Sequence, residues 1–216
     1  MGMDNAMCQV ANSSLTTCAQ AHWVRWIQRV FLSSLAIIDT VHRGPDDQSS
    51  TDLAMMRRAL IAAEGAAERD EVPVGAVVAR GEEILAVAAN ERETTKDPTA
   101  HAELLAIRYA AAASGGWRLA GCTLYSTLEP CPMCAGAAHA ARIDRLVYAA
   151  PDPKAGYAGT LHNVPADPHL NHAITVVEGV LEAEAAELLR VFFRDRREKP
   201  RRTPPSPPGG CPNDTQ

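Results

Sequence analysis

Four residues could do chemistry together. His101-Ala102-Glu103 stands upstream of Pro130-Cys131-Pro132-Met133-Cys134. One imidazole and two thiolates make three ligands for a tetrahedral Zn²⁺. Three ligands rather than four leave one position for water, the arrangement of a catalytic and not a structural site. Glu103, two residues beyond the histidine, is a carboxylate that can take a proton from such a water and return it within one cycle.

The elements that must position these residues can be read locally. Asp97-Pro98 reads as an N-cap followed by a helix-initiating proline, and residues 100–113 are rich in Ala, Leu and Ile. A helix is therefore predicted from 98 to about 114, with His101 in its first turn. Positions i and i+2 diverge around a helix, so His101 and Glu103 share a pocket only if it lies over the helix N-terminus. Cys131 precedes Pro132, again a helix start, and Cys134 falls three residues on, which puts both sulfurs on one side of a first turn. Two helix N-termini then aim at one metal, and their positive ends help keep the thiols deprotonated.

Separately, these signals are ambiguous. A lone histidine is most often a packing residue, and a lone C-x-x-C is as often a redox pair or part of a structural metal site. The conjunction favours catalytic zinc. Cys8, Cys18, Cys122 and Cys211 share no such spacing; Cys122 opens a strand and is expected in the core. No disulfide framework is expected, which fits a reducing compartment and a cytoplasmic protein.

The chain has 216 residues, enough for one domain with a full core plus terminal segments. It is 46% hydrophobic and 22% charged, as in soluble globular proteins. Its net charge of −5 excludes a generally basic nucleic-acid binder, so any such contact must be local. One local patch exists: Arg190, Arg194, Arg196, Arg197, Lys199, Arg201 and Arg202, against Asp195 and Glu198. Most such runs are solvated helix faces, and phosphate contact is the sharper alternative.

Three zones separate along the chain. Residues 1–51 read as an extension. Trp23, Trp26, Ile27, Val30, Phe31, Leu35 and Ile38 recur at helical spacing in it, so it is either weakly ordered or a short amphipathic helix. Its apolar stretch is too short to span a bilayer, and it lacks a clear secretory cleavage site. A chain beginning at Ser49 is expected to fold, with Ser50, Thr51 or Asp52 as helix cap; an internal methionine is an alternative native start. Residues 52–198 read as the domain: helix 52–69, strands 74–79 and 84–89 joined by a hairpin at Arg80-Gly81-Glu82, and the helix from 98. A strand follows at 123–128, then the cysteine helix to about 142, strands 145–149 and 174–178, and a closing helix from 182 to about 197. That order predicts a three-layer α/β/α sandwich around a central mixed sheet of about five strands, with both metal segments just after strands, where such sheets place ligands. Residues 199–216, Pro-rich, read as a disordered tail.

The middle zone resembles a known family, the bacterial tRNA-specific adenosine deaminases (the TadA family of the cytidine deaminase-like superfamily). The paired segments H-x-E and P-C-x-x-C are the zinc-dependent nucleobase deaminase signature. The further markers are Glu71-Val72-Pro73-Val74-Gly75, Asn90, Thr127-Leu128-Glu129 ahead of Pro130, and Ala135-Gly136 after Cys134. Beyond these come Asp152-Pro153-Lys154-Ala155-Gly156, Asn171-His172 and Phe192-Phe193-Arg194. The resemblance implies one Zn²⁺ per subunit on His101, Cys131 and Cys134, with Glu103 as catalytic proton shuttle. It implies hydrolytic deamination of the wobble adenosine of an arginine tRNA anticodon to inosine, releasing ammonia, by a homodimer without membrane association. It also implies that Asn90 hydrogen-bonds the flipped nucleotide, that Asp152 contacts the anticodon loop, and that Arg196 and Arg197 contact phosphates. Asn90 after a strand and Asp152 before a proline could equally be plain turn residues. Ala149, Tyr157 and Thr160 stand where the family more often has Gly, a small residue and Ser, which bears on the substrate loop at 149–165 but not on the metal.

Three rivals remain open on sequence. A deaminase of free nucleosides, bases or nucleotides would use the same chemistry, and the 192–197 ending argues against it. A non-catalytic zinc-stabilised RNA-binding module would not need Glu103. A dithiol redox protein would leave His101 and Glu103 unexplained.

Overall fold

The computed structural model describes residues 50–198. The extension with its Trp23-to-Ile38 stripe and the Pro-rich tail lie outside the described residues. The elements run α1 (Ser50–Glu68), β1 (Gly75–Arg80), β2 (Glu83–Ala89), α2 (Arg92–Thr95), α3 (Ala102–Ala113) and β3 (Thr123–Leu128). They continue with α4 (Pro132–Ala140), β4 (Arg145–Ala150), a 3₁₀ turn (Val164–Ala166), β5 (Thr175–Val177) and α5 (Glu182–Glu198). Among these residues no helix is long and apolar enough to cross a membrane.

The strands form one sheet in the order β2-β1-β3-β4-β5. β1 pairs antiparallel with β2 and β3, while β3–β4 and β4–β5 are parallel. The three inner strands are buried almost throughout because both their faces are covered. On one face Met55, Met56 and Ala59 of α1 and Ala185 of α5 pack on Val77, Tyr125 and Val147. On the other, Leu105, Ala106 and Ala110 of α3 and Ala138 of α4 pack on Val78, Leu124 and Leu146. The layered sandwich expected from the element order is the fold that forms.

Two local details fix α1 against the sheet. A Cβ on Gly75 would overlap the backbone of Ala59 and Ala63, so only glycine lets β1 start that close to the helix. Asp52, buried in the first turn of α1, takes a bidentate pair from Arg145 of β4 at 2.7 Å for both contacts and accepts from the Tyr125 hydroxyl at 3.0 Å. A carboxylate expected at most to cap its own helix therefore also joins α1 to the two central strands.

Candidate active site

His101 and Cys131 both occupy helix N-cap positions. His101 (φ −76°, ψ 148°) precedes α3, Cys131 (φ −72°, ψ 174°) precedes α4, and neither side chain caps its helix. Their carbonyls still accept the first helical bonds, from Leu105 N at 3.0 Å and Ala135 N at 2.9 Å. An N-cap without a side-chain acceptor costs about 1 kcal/mol; here both side chains are left to meet one another. This corrects the helix start expected at 98. Asp97 does hold a turn, accepting from the Thr99 amide and hydroxyl at 2.7 Å each, but the helix begins only at Ala102. The later start carries His101 over the helix N-terminus.

The ligand triangle is compact. His101 Nδ1 lies 3.6 Å from Cys131 Sγ and 3.5 Å from Cys134 Sγ, and the three ligand atoms all fall within 4.8 Å of one another. With zinc bonds of about 2.05 Å to nitrogen and 2.3 Å to sulfur, a tetrahedral N–S edge is about 3.6 Å. The donor set and its spacing therefore fit Zn²⁺. The Cys131 thiol is pulled down to about 4, mainly by the hydrogen bond from the Cys134 thiol and then by His101. Cys134 is pushed up, because it donates to Cys131 and is buried. Glu103, 4% exposed, has its carboxyl raised to about 7 by burial. A carboxyl with that pKa can both give and take a proton near neutrality.

The triangle opens into a cavity of about 460 Å³, within the usual range for small-molecule sites. Asn90, Glu103, His101 and Cys131 line it, with Val72, Leu128 and Phe193 as apolar wall and Arg92, Asp152 and Lys154 around the mouth. The chain thus gathers the three ligands, Glu103, Asn90 and Asp152 in one place. It does not bring Arg196 or Arg197 there: Arg196 donates to the Asp70 carbonyl at 3.4 Å and lies over the Phe192 ring. Arg197 is exposed, with no partner among the described residues. Nearer the start of the helix, Arg190 pairs with Glu187 and Arg194 with Asp195. Lys199, Arg201 and Arg202 lie outside the described residues.

Asp152 also behaves as the turn residue its proline neighbour suggested. Its Oδ1 accepts from Lys154 N at 2.8 Å and Ala155 N at 3.2 Å. Asn90 is held by Glu71, which is fully buried: Asn90 Nδ2 donates to its Oε2 at 3.0 Å, so the acceptor side of the amide remains for a ligand. Glu71 also accepts from Glu93 N at 3.1 Å and Thr94 N at 2.6 Å, which ties down α2 and with it Arg92. Burial works against the Glu71 carboxylate, yet these bonds hold it below its ordinary pKa.

Glu71 and Glu129 stand among the family markers with no role legible in the sequence, and Arg92 and short α2 carry no motif. One signal was available. Glu129, between Leu128 and Pro130 at the end of β3, is a carboxylate expected to be buried, and a buried carboxylate must find donors.

Comparison with known proteins agrees with this geometry. The family model described as the cytidine and deoxycytidylate deaminase zinc-binding region matches residues 49–150. The tRNA-specific adenosine deaminase of Bacillus subtilis (strain 168) is 49% identical over 148 residues, 68% of this chain and 92% of that protein. The one from Agrobacterium fabrum is 47% identical over 142 residues, 66% of this chain and 93% of its own length. A structure solved in a study of A-to-I editing by deaminases at the wobble position of transfer RNA matches with a TM-score of 0.61 at 46% identity. It covers 63% of this chain and 99% of its own. Guanine deaminase from Nitrosomonas europaea, at 23% identity and a TM-score of 0.59 over 88% of this chain and all of its own, shares the fold alone. Fold and site define a zinc-binding deaminase. The chain belongs to the family of tRNA-specific adenosine deaminases.

Proposed function

We propose that this protein deaminates the wobble adenosine of a tRNA anticodon, of an arginine tRNA in the narrowest reading, to inosine. The observation that carries the reading is a metal-ligand triangle beside a buried carboxyl, opening into a cavity whose wall includes a fixed Asn90 amide. His101, Cys131 and Cys134 hold the zinc, which when bound supplies a nucleophilic water at a pH of roughly 7. Glu103 takes the proton released as water adds to the adenine carbon bearing the amino group and delivers it to the adjacent ring nitrogen. It then takes the remaining proton from the added hydroxyl and passes it to the amine, so that the C–N bond breaks, ammonia leaves and the carbonyl of inosine forms. Asn90 offers its carbonyl oxygen to the flipped nucleotide, the apolar wall takes the base, and Arg92 and Lys154 at the mouth face the flanking phosphates. Asp152, Arg196 and Arg197 extend contact along the anticodon stem-loop. A base in a loop is cheaper to splay out than one in a duplex.

In this reading residues 52–198 are the catalytic domain, residues 1–51 and 199–216 are accessory, and the enzyme is a cytoplasmic homodimer. The test is incubation of zinc-loaded protein with tRNA, with free adenosine and with free cytidine. Inosine in tRNA alone is the expected result; inosine or uridine from the free nucleosides instead would overturn the substrate assignment.

A further inference from the structure

Glu129 ends β3 and stands two residues before Cys131. Its side chain is 1% exposed, yet among the described residues it forms no ion pair. All its partners are hydrogen-bond donors of one distant segment, 23 to 31 residues further along. Oε2 accepts from Asp152 N at 3.0 Å and from the Thr160 hydroxyl at 2.5 Å. Oε1 accepts from Ala158 N at 3.0 Å and Thr160 N at 2.9 Å. The backbone is shaped around the carboxylate: a Cβ on Gly156 would overlap it. The Tyr157 amide completes the anchor by donating to the carbonyl of Pro130, the next residue, at 2.9 Å. The segment so held carries Asp152, Lys154 and Ala155, which line the same cavity as Asn90.

We propose that Glu129 is a positioning residue for substrate, a buried anionic post that holds the 152–160 loop at the cavity mouth in its binding shape. This rests on the reading that the cavity takes the flipped nucleotide. Regular strand pairing ends at Leu128–Ala150, so the loop has no sheet ladder to satisfy its amides; an ionised acceptor with four donors replaces one. A loop that visits its binding shape only part of the time weakens apparent affinity by that fraction and leaves the chemical step alone. Thr160 supplies two of the four donors, its amide and its hydroxyl.

The test is Glu129→Gln in the full-length zinc-loaded protein. An amide has one acceptor oxygen where four donors converge, so half of the anchor is lost. Zinc should stay at one per chain. Trypsin cleavage after exposed Lys154 should speed up at least tenfold, and KM for an anticodon stem-loop should rise at least tenfold with kcat within about threefold. Thr160→Val should show the same signature at a few-fold level, and Thr160→Ser should restore it. In the Thr160→Val background Glu129→Gln should cost less, because one donor facing the amide is gone. Unchanged cleavage and KM, or zinc lost in proportion to activity, would overturn the proposal. If Glu129→Gln does not fold, Thr160→Val decides: behaviour like Thr160→Ser overturns it. Cleavage reads the anchor without substrate, so a wild-type protein that leaves tRNA unedited would sink the substrate assignment and not the post.

Discussion

The metal corner and the rim of the cavity solve the same problem, fixing side chains in space, by opposite means. At the corner, His101 and Cys131 sit at N-caps of regular helices, and position follows from helix geometry over a few residues. At the rim, the polar lining residues Asn90, Arg92, Asp152 and Lys154 belong to short or irregular segments, each tied to a buried carboxylate some twenty to thirty residues away: Asn90 and α2 to Glu71, the 152–160 loop to Glu129. Helices satisfy their own backbone, whereas loops must borrow acceptors. A rim built this way can change shape with little disturbance to the metal. That suits a site in which chemistry is constant and substrate fit is adjustable.

The comparison breaks most sharply at Glu103. Glu103→Gln should keep one zinc per chain and lose deamination by 10²- to 10⁴-fold, since the carboxyl moves protons without ligating. Cys131→Ala or His101→Ala should lose metal and activity together. Metal analysis alongside inosine formation separates the two; zinc release by Glu103→Gln would put that residue into the corner.

The rim's dependence on buried charge can be tested at Glu71. Glu71→Gln leaves three donors facing an amide and should cost about 2 kcal/mol near pH 7, while KM for tRNA rises through Asn90. The sign of the pH effect follows from the direction of the shift. Glu71 is held below its ordinary 4.5, so its contribution is present above that value and is lost as pH falls through the lower folded value. Melting temperature against pH should therefore fall less steeply below about 4.5 in the variant. An equally steep fall would mean the charge is not what holds α2.

This contrast also explains what could be read in advance. Thr123–Leu128 is the strand expected, to the residue, and the fold class and ligand set are legible because periodicity, caps and spacing are short-range signals. The helix expected from 98 begins only after His101, because Asp97 uses its cap on a one-turn loop with Thr99. Asn90, singled out in the sequence, lines the cavity, but nothing local announces that Glu71 fixes its amide. The loop's anchor was invisible because nothing local to 152–160 announces that its amides end on Glu129. Arg196 and Arg197 looked equivalent in sequence; only the fold ties the first to Asp70.

That inequality gives a smaller prediction. Arg197→Ala should lower the log-log salt slope of tRNA binding by about one, the value for one phosphate contact. Arg196→Ala should change the slope less and the melting temperature more. Equal slopes in filter-binding titrations would mean that the Asp70 contact gives way when RNA arrives.

The smallest effect lies beneath the corner, on the strand that leads to it. Ser126 is fully buried in β3, and its hydroxyl is without a hydrogen-bond partner among the described residues. It lies between Leu124 and Leu128 on the face that α3 and α4 cover, so an apolar side chain would suit its neighbours. An unsatisfied buried hydroxyl costs on the order of 1 kcal/mol or more, and deleting the lone group removes that cost without orphaning a partner. Ser126→Ala should therefore raise stability by up to about 1 kcal/mol, set against a small loss of packing where the oxygen was. Denaturant midpoints at unchanged m-value would show it, with zinc content and KM unmoved. A loss of stability would mean that the hydroxyl is bonded in solution, to a water lodged between β3 and the helices. The corner would then share the rim's reliance on buried polar groups, and the division between the two regions would weaken.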